Sequence, residues 1–251
     1  MKRTIKSMVG YAMGATDGEI GQVEDFYFDD DTSTIRYLVV KTGSWLFGRK
    51  VLISTEAIQG VNWNNKAFAV KLNKDQILNS PDIDTEKPVS RQQEESLYSY
   101  YPWQGYWGSG FYAGGMWGVI PAAPVFAGTA LEADEDVATV ENDIHLRSTH
   151  HVNGYKIHAT DGEIGEVDDF IIDDSTWKLE YLVVNTGGWL NSKKILLAAK
   201  WITGVNWANS VVIVDISVKA VEECPVYDPL TPVNEKYENN LYDYYGKMQH
   251  K

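Results

Sequence analysis

The stretch ATDGEIGQVEDF at residues 15–26 is spelled again as ATDGEIGEVDDF at residues 159–170, with Gln22 against Glu166 and Glu24 against Asp168 as the only differences. The offset between the copies is 144 residues, and it holds without a gap well beyond this phrase. RYLVVKTGSWL at 36–46 falls on EYLVVNTGGWL at 180–190, GVNWNN at 60–65 on GVNWAN at 204–209, and ESLYSYY at 95–101 on NNLYDYY at 239–245. Arg3 lands on Arg147 and Gly10-Tyr11 on Gly154-Tyr155, so the N-terminus reads as the first strand of a repeat and not as an export signal. A period this long is a duplicated domain, because solenoid units are much shorter. The division that follows is repeat 1 at residues 1–101, a linker at 102–144 and repeat 2 at 145–251.

Within each repeat the signals are those of short strands. Asp17-Gly18 and Asp161-Gly162 predict a hairpin with a two-residue type I′ turn, which needs positive φ at both central positions. Val23 and Phe26 then fall on opposite phases of a two-residue period, which predicts a β-bulge or a strand buried on both faces. Residues 35–42 are rich in β-branched and aromatic side chains, as in a central strand, and shorter strands are expected near 50–54, 58–63 and 67–72. DQILNSP and SRQQEESLYSYY are the helical stretches, the second opening at Ser90. The expected fold is all-β: two small antiparallel β-barrels, each with a short C-terminal helical tail, joined by a Gly/aromatic-rich linker that turns acidic.

Composition narrows the function. A net charge of −13 repels nucleic-acid backbones and anionic lipid, so no nucleic-acid partner is expected and a membrane surface is disfavoured. Cys224 is the single cysteine, which excludes an intrachain disulfide and suits a reducing, cytoplasmic compartment. The weakly polar stretch at 110–130 has the length of a membrane helix, but five Gly and two Pro make it a poor one.

DGEIGQVEDFYFDDDTSTIRYLVVKTGSWLFGRKVLIS resembles the core of a PRC-barrel domain, the family named for the cytoplasmic part of the photosynthetic reaction-centre H subunit and also found at the end of the ribosome-maturation factor RimM. Both repeats carry the resemblance, and so do their tails. It implies a small barrel of about six strands and an adaptor or assembly role with no shared catalytic residues. A membrane helix ahead of Arg3 and a separate N-terminal domain are not expected here, so the photosynthetic and ribosomal roles are not expected to transfer.

No nucleophile-elbow, Walker or dinucleotide-binding phrase is present, and no enzyme activity, cofactor or metal is expected. Asp17, Glu19, Glu24 and Asp25, repeated as Asp161, Glu163, Asp168 and Asp169, read as turn and solvated strand residues, because no cation loop is spelled out. The triplet Asp29, Asp30 and Asp31 reads as an Asx turn. His145, His150 and His151 read as linker residues, lacking a zinc ligand set.

The candidate interface residues are aromatic or apolar: Trp45 and Leu46 with Trp189 and Leu190 in glycine-bounded loops, Trp103, Trp107 and Trp117 in the linker, and Tyr98, Tyr101, Tyr242 and Tyr245 in the tails. Charges also invert between the copies: Arg36 against Glu180, Glu56 against Lys200, Lys71 against Asp215 and Asp75 against Lys219. These are candidate inter-barrel charge pairs about a pseudo-two-fold axis. The expected function is a non-enzymatic tandem module that binds protein partners or copies of itself as a homo-oligomer. A membrane-peripheral subunit resembling the reaction-centre barrel is the alternative, and a metal-dependent hydrolase the third reading.

Overall fold

The repeated phrase fixes the local geometry of each unit. The structure, a computed structural model, describes residues 1–81, 89–101, 144–190 and 192–249. The first repeat runs β1 (Lys2–Thr4), α1 (Ile5–Met8), β2 (Ala12–Ala15), β3 (Gly18–Asp29), β4 (Thr34–Thr42), β5 (Lys50–Ser54), β6 (Ile58–Asn62), β7 (Ala67–Val70), α2 (Lys74–Leu78), β8 (Val89–Ser90) and α3 (Arg91–Tyr100). The second repeats the plan as β9 (Ile144–Ser148), α4 (Thr149–Val152), β10 (Lys156–His158), β11 (Glu163–Asp173), β12 (Leu179–Asn185), β13 (Lys194–Ala198), β14 (Ile202–Asn206), β15 (Val211–Val214), α5 (Val218–Glu222) and α6 (Glu235–Gln249).

Each unit is built on a curled sheet, ordered β5-β4-β3-β2-β7-β6 in the first and β13-β12-β11-β10-β15-β14 in the second. Two expectations are corrected here. The sheets are mixed, because β2 lies parallel to β7 and β10 parallel to β15. They are also not closed: among the described residues no ladder joins β5 to β6 or β13 to β14, and a single turn of 3-10 helix carries the chain round each corner. Closure is left to side chains, with Ile20, Phe26, Leu38, Ile53, Phe68 and Ile77 fully buried in the first core. Each such side chain contributes roughly 1.5–3 kcal/mol when taken from water.

The phase conflict between Val23 and Phe26 is resolved by a bulge. The ladder to β4 slips between Val23 and Asp25, and the ladder of β11 to β12 slips between Val167 and Asp169. Asp25 and Asp169 are thereby re-aimed toward the other unit. The hairpin at Asp17 forms, but its two loop residues are Thr16 and Asp17, with Ala15 paired to Gly18 and no positive φ at Asp17. The expected type I′ turn is therefore absent. The carboxylate of Asp17 accepts the Lys74 backbone N–H at 3.0 Å, and that of Asp161 the Val218 N–H at 2.7 Å, so both aspartates fasten a short helix 57 residues on.

The glycine in the middle of the phrase has a separate reason. A Cβ on Gly21 would lie 2.0 Å from the Lys41 carbonyl oxygen, and one on Gly165 2.2 Å from that of Asn185. Gly165 also sits at φ +141°, where side-chain-bearing residues are strained. Gly21→Ala and Gly165→Ala are each expected to lower unfolding stability by more than about 2 kcal/mol, read as a drop in the urea midpoint. Gly204→Ala, where a Cβ meets nothing within 4 Å, should cost far less.

Candidate interaction site: the strand-exchanged seam

β3 is 12 residues long, but its hairpin partner β2 has only four. The far half of β3 thus exposes a sheet edge, and β11 does the same. Each edge is covered by the first strand of the other repeat. β1 pairs antiparallel with β11 in the register Lys2–Asp173, Arg3–Ile172 and Thr4–Ile171. β9 pairs with β3 in the register Phe28–Arg147 and Asp29–Leu146. Adding 144 to the β1 members and subtracting 144 from the β11 members of one ladder gives the other, so the two units exchange strands about a pseudo-two-fold axis. At that axis Thr34 bridges Lys178, with Ile35 N–H bonded to the Trp177 carbonyl at 2.8 Å and Leu179 N–H to the Ser33 carbonyl at 2.7 Å.

The carboxylates of the repeated phrase receive what the exchanged strands deliver. Asp169 Oδ1 accepts the Lys6 N–H of α1 at 3.1 Å, and Asp25 Oδ1 the His150 N–H of α4 at 3.1 Å. Asp25 also accepts the Ser148 and Thr149 hydroxyls at 2.5 and 2.9 Å. The matching positions in the first copy are Thr4, which makes no side-chain capping bond, and Ile5, which carries no donor. Asp169 is consequently buried with fewer donors, and burial pushes its carboxyl up to about 6 against the two backbone N–H bonds and the charge of Lys6. Burial also acts on the neighbouring Asp168, but hydrogen bonds from Lys194 and Lys6 hold its carboxyl below the usual range.

Arginine fixes both strands in the same way. Arg3 Nε meets Asp174 at 3.2 Å with its guanidinium 4.1 Å above the Trp63 ring, and Arg147 Nε meets Asp30 at 2.8 Å with its guanidinium 4.1 Å above Trp207. A planar cation that forks to a carboxylate and stacks on indole suits both contacts, and lysine does not. The rings of Phe28 and Phe170 meet across the seam at 5.9 Å, and Ile5, Met8, Leu146 and Val152 are buried in it.

A buried histidine contact is also confined to one side of the seam. His145 Nε2 lies 2.5 Å from Glu94 Oε2, and the Tyr37 hydroxyl donates to Glu94 Oε1 at 2.9 Å, all three side chains being buried. His145 therefore belongs to an exchanged strand and not to the linker. In the other unit Tyr181 donates to Glu238 at 2.7 Å, and Lys2 approaches that carboxylate at 3.8 Å.

The other predicted residues are placed as follows. Leu46 is buried, Trp45 lies in the 3-10 turn Ser44–Leu46, and Trp189 and Leu190 lie in the turn Gly187–Leu190. Trp103, Trp107 and Trp117, with the linker stretch at 110–130, lie outside the described residues. Tyr101 and Tyr245 are buried and close their own units, the Tyr245 ring lying tilted against Trp201 at 4.4 Å, and burial pushes the Tyr101 phenol up to about 12. Tyr98 and Tyr242 are half-buried against the same cores.

Of the eight inverted charges, Glu180 reaches across the seam, to Lys2 at 3.6 Å. Arg36 pairs with Asp29 of its own unit at 3.7 Å, and Lys200 sits 4.1 Å above the Tyr242 ring. Glu56, Lys71, Asp75, Asp215 and Lys219 are exposed. Asp29, Asp30 and Asp31 cluster within 4.8 Å, but Asp29 Oδ1 accepts the Asp31 and Thr32 N–H groups in an Asx turn and Asp30 is held by Arg147. Cys224 is buried, and burial pushes its thiol up.

Two copies of one small sheet unit, joined by reciprocal strand exchange and side-chain caps, define a tandem module whose repeated residues serve docking. The family model described as PRC-barrel domain matches residues 12–77 and 147–221, more than half of the chain, and the chain belongs to that family. Comparison with curated proteins gives no match. Membership points to a protein-interaction or assembly module. Among the described residues no helix is long and apolar enough to cross a membrane.

Asp25→Ala should destabilise the protein by about 1–3 kcal/mol in urea titration, since it orphans a cap and two hydroxyls. Asp169 provides a pH test. Its folded-state value near 6 lies above the ordinary 3.8, so its contribution favours the folded state at acid pH and is lost as pH rises through 6. Asp169→Asn should therefore gain stability relative to the parent at pH 7.5, by up to about 2–3 kcal/mol, and lose that advantage at pH 4. A difference that does not change with pH would contradict this.

Proposed function

We propose that this chain is a non-enzymatic assembly module that associates with protein partners and with copies of itself. The observation that carries the reading is the seam: one unit recognises the other by adding a strand to an exposed edge and capping the helix that follows, a recurrent mode of protein recognition. The absence of catalysis is supported by the employment of the conspicuous side chains. Asp17, Asp161, Asp25 and Asp169 are hydrogen-bonded to backbone N–H groups, Asp168 is held by two lysines, and His145 is committed to Glu94.

Contact points for a partner are available on the outside. Phe47 is 99% exposed at the tip of the turn that follows β4, and Leu230 is 92% exposed ahead of α6. Phe47 is held at φ 53°, a conformation that aromatic residues seldom adopt. The charge of −13 supports protein over nucleic-acid or anionic-lipid partners, and the single cysteine fits a cytoplasmic setting.

Sedimentation equilibrium across roughly 1–200 μM is the test, a range that brackets weak and moderate self-association. A mass above that of one chain, reduced by Phe47→Ser together with Leu230→Ser without a change in melting temperature, is the expected outcome. A single-chain mass at every concentration would remove self-association, leaving only other protein partners.

A further inference from the structure

One of the places where the seam departs from its own symmetry lies beside the axis. Ser33 and Trp177 are counterparts in the sequence, occupy counterpart places beside the pseudo-two-fold axis, and share a left-handed backbone with φ of 52° and 60°. Each reaches into the opposite unit. Trp177 packs into the first unit, its ring 6.2 Å from Phe68. Ser33 instead lines a cavity of about 570 Å³ between the units, within the roughly 300–1,000 Å³ of ordinary ligand pockets. The walls widen it further, since Phe68 of the first unit is matched by Val212.

We propose that this cavity is a binding site for an indole ring, whether free or carried on a tryptophan side chain. The first unit shows that the site's plan accepts this shape, because Trp177 occupies the counterpart position with its ring on Phe68. The remaining walls are suited to a flat aromatic ring. Phe170, Leu182 and Val212 are buried and apolar, and Trp207 is fixed in place by Tyr155 at 6.2 Å and by Arg147 over its face at 4.1 Å. Asp30 and Asp31 also line the cavity. Arg147 neutralises Asp30, while exposed Asp31 contributes a negative charge that accepts an N–H and repels an anion. A neutral or cationic indole therefore fits better than an acidic one. The site is continuous with the inter-unit seam and does not depend on self-association.

The test uses the full chain, labelled for backbone amide NMR, with indole and N-acetyl-L-tryptophanamide as probes and indole-3-acetate as the anionic control. Saturable binding of one probe molecule per chain, shifting the amides of Ser33 and Val212, is expected, with indole-3-acetate at least fivefold weaker. Ser33→Trp should abolish binding by supplying the ring internally, and should raise the melting temperature, since Trp177 shows that this backbone accepts tryptophan. Val212→Phe, which restores the wall of the first unit, should weaken binding at least threefold and covers the case in which Ser33→Trp does not fold. Comparable binding of both probes assigns the ring to a polypeptide, and binding of indole alone assigns it to a free heterocycle. No saturation by either probe at millimolar concentration overturns the proposal, as does binding that survives in every variant that folds.

Discussion

Half of each central strand is paired on one edge only within its own repeat, and that deficit organises the molecule. β3 and β11 extend well past the short strands β2 and β10 that begin their hairpins. An edge left open would put a row of backbone donors and acceptors against solvent or against another chain. The remedy is three residues borrowed from the other copy, locked by an arginine on a carboxylate and by an aspartate on the helix that follows. Three ladder residues would hold weakly by themselves. Buried Ile5, Met8, Leu146 and Val152 add an apolar contribution that outweighs any single hydrogen bond in the seam.

The duplication, the strand-rich class and the helical tails were legible in the sequence because they are local or repetitive properties. The bulge was legible as well, since a phase slip between Val23 and Phe26 admits few solutions. The parallel pairing of β2 with β7 was not, because strands this short carry the same alternation whichever way their neighbour runs. Nor was the turn type: Asp17-Gly18 favours type I′ in isolation, but the Asp17 carboxylate is drawn to a helix start 57 residues away, a tertiary contact that overrides local preference.

The site was less legible than the fold, for a specific reason. Exposed aromatics and inverted charges stand out in the sequence, yet the contacts made on both sides of the seam come from residues that do not differ between the copies. Arg3 and Arg147, Asp25 and Asp169, Asp30 and Asp174 and Trp63 and Trp207 are identical pairs, since a two-fold contact uses each residue once from either side. The signal existed, in the unbroken register that ran back to Arg3 ahead of the first hairpin. Tyr101 and Tyr245 stand out as repeated aromatics, but their repetition follows from their burial within each unit.

The borrowing of strands also sets an order of events during synthesis. The ribosome delivers residues 1–101 before β9 exists, so the first sheet must wait with its far edge open until Ser148 has emerged, while β1 waits for β11. The first half cannot reach its final form as it leaves the exit tunnel. Completion is a late, mutual step, and nascent chains on neighbouring ribosomes offer one another the same missing pieces, which makes entanglement between siblings the characteristic hazard of this architecture.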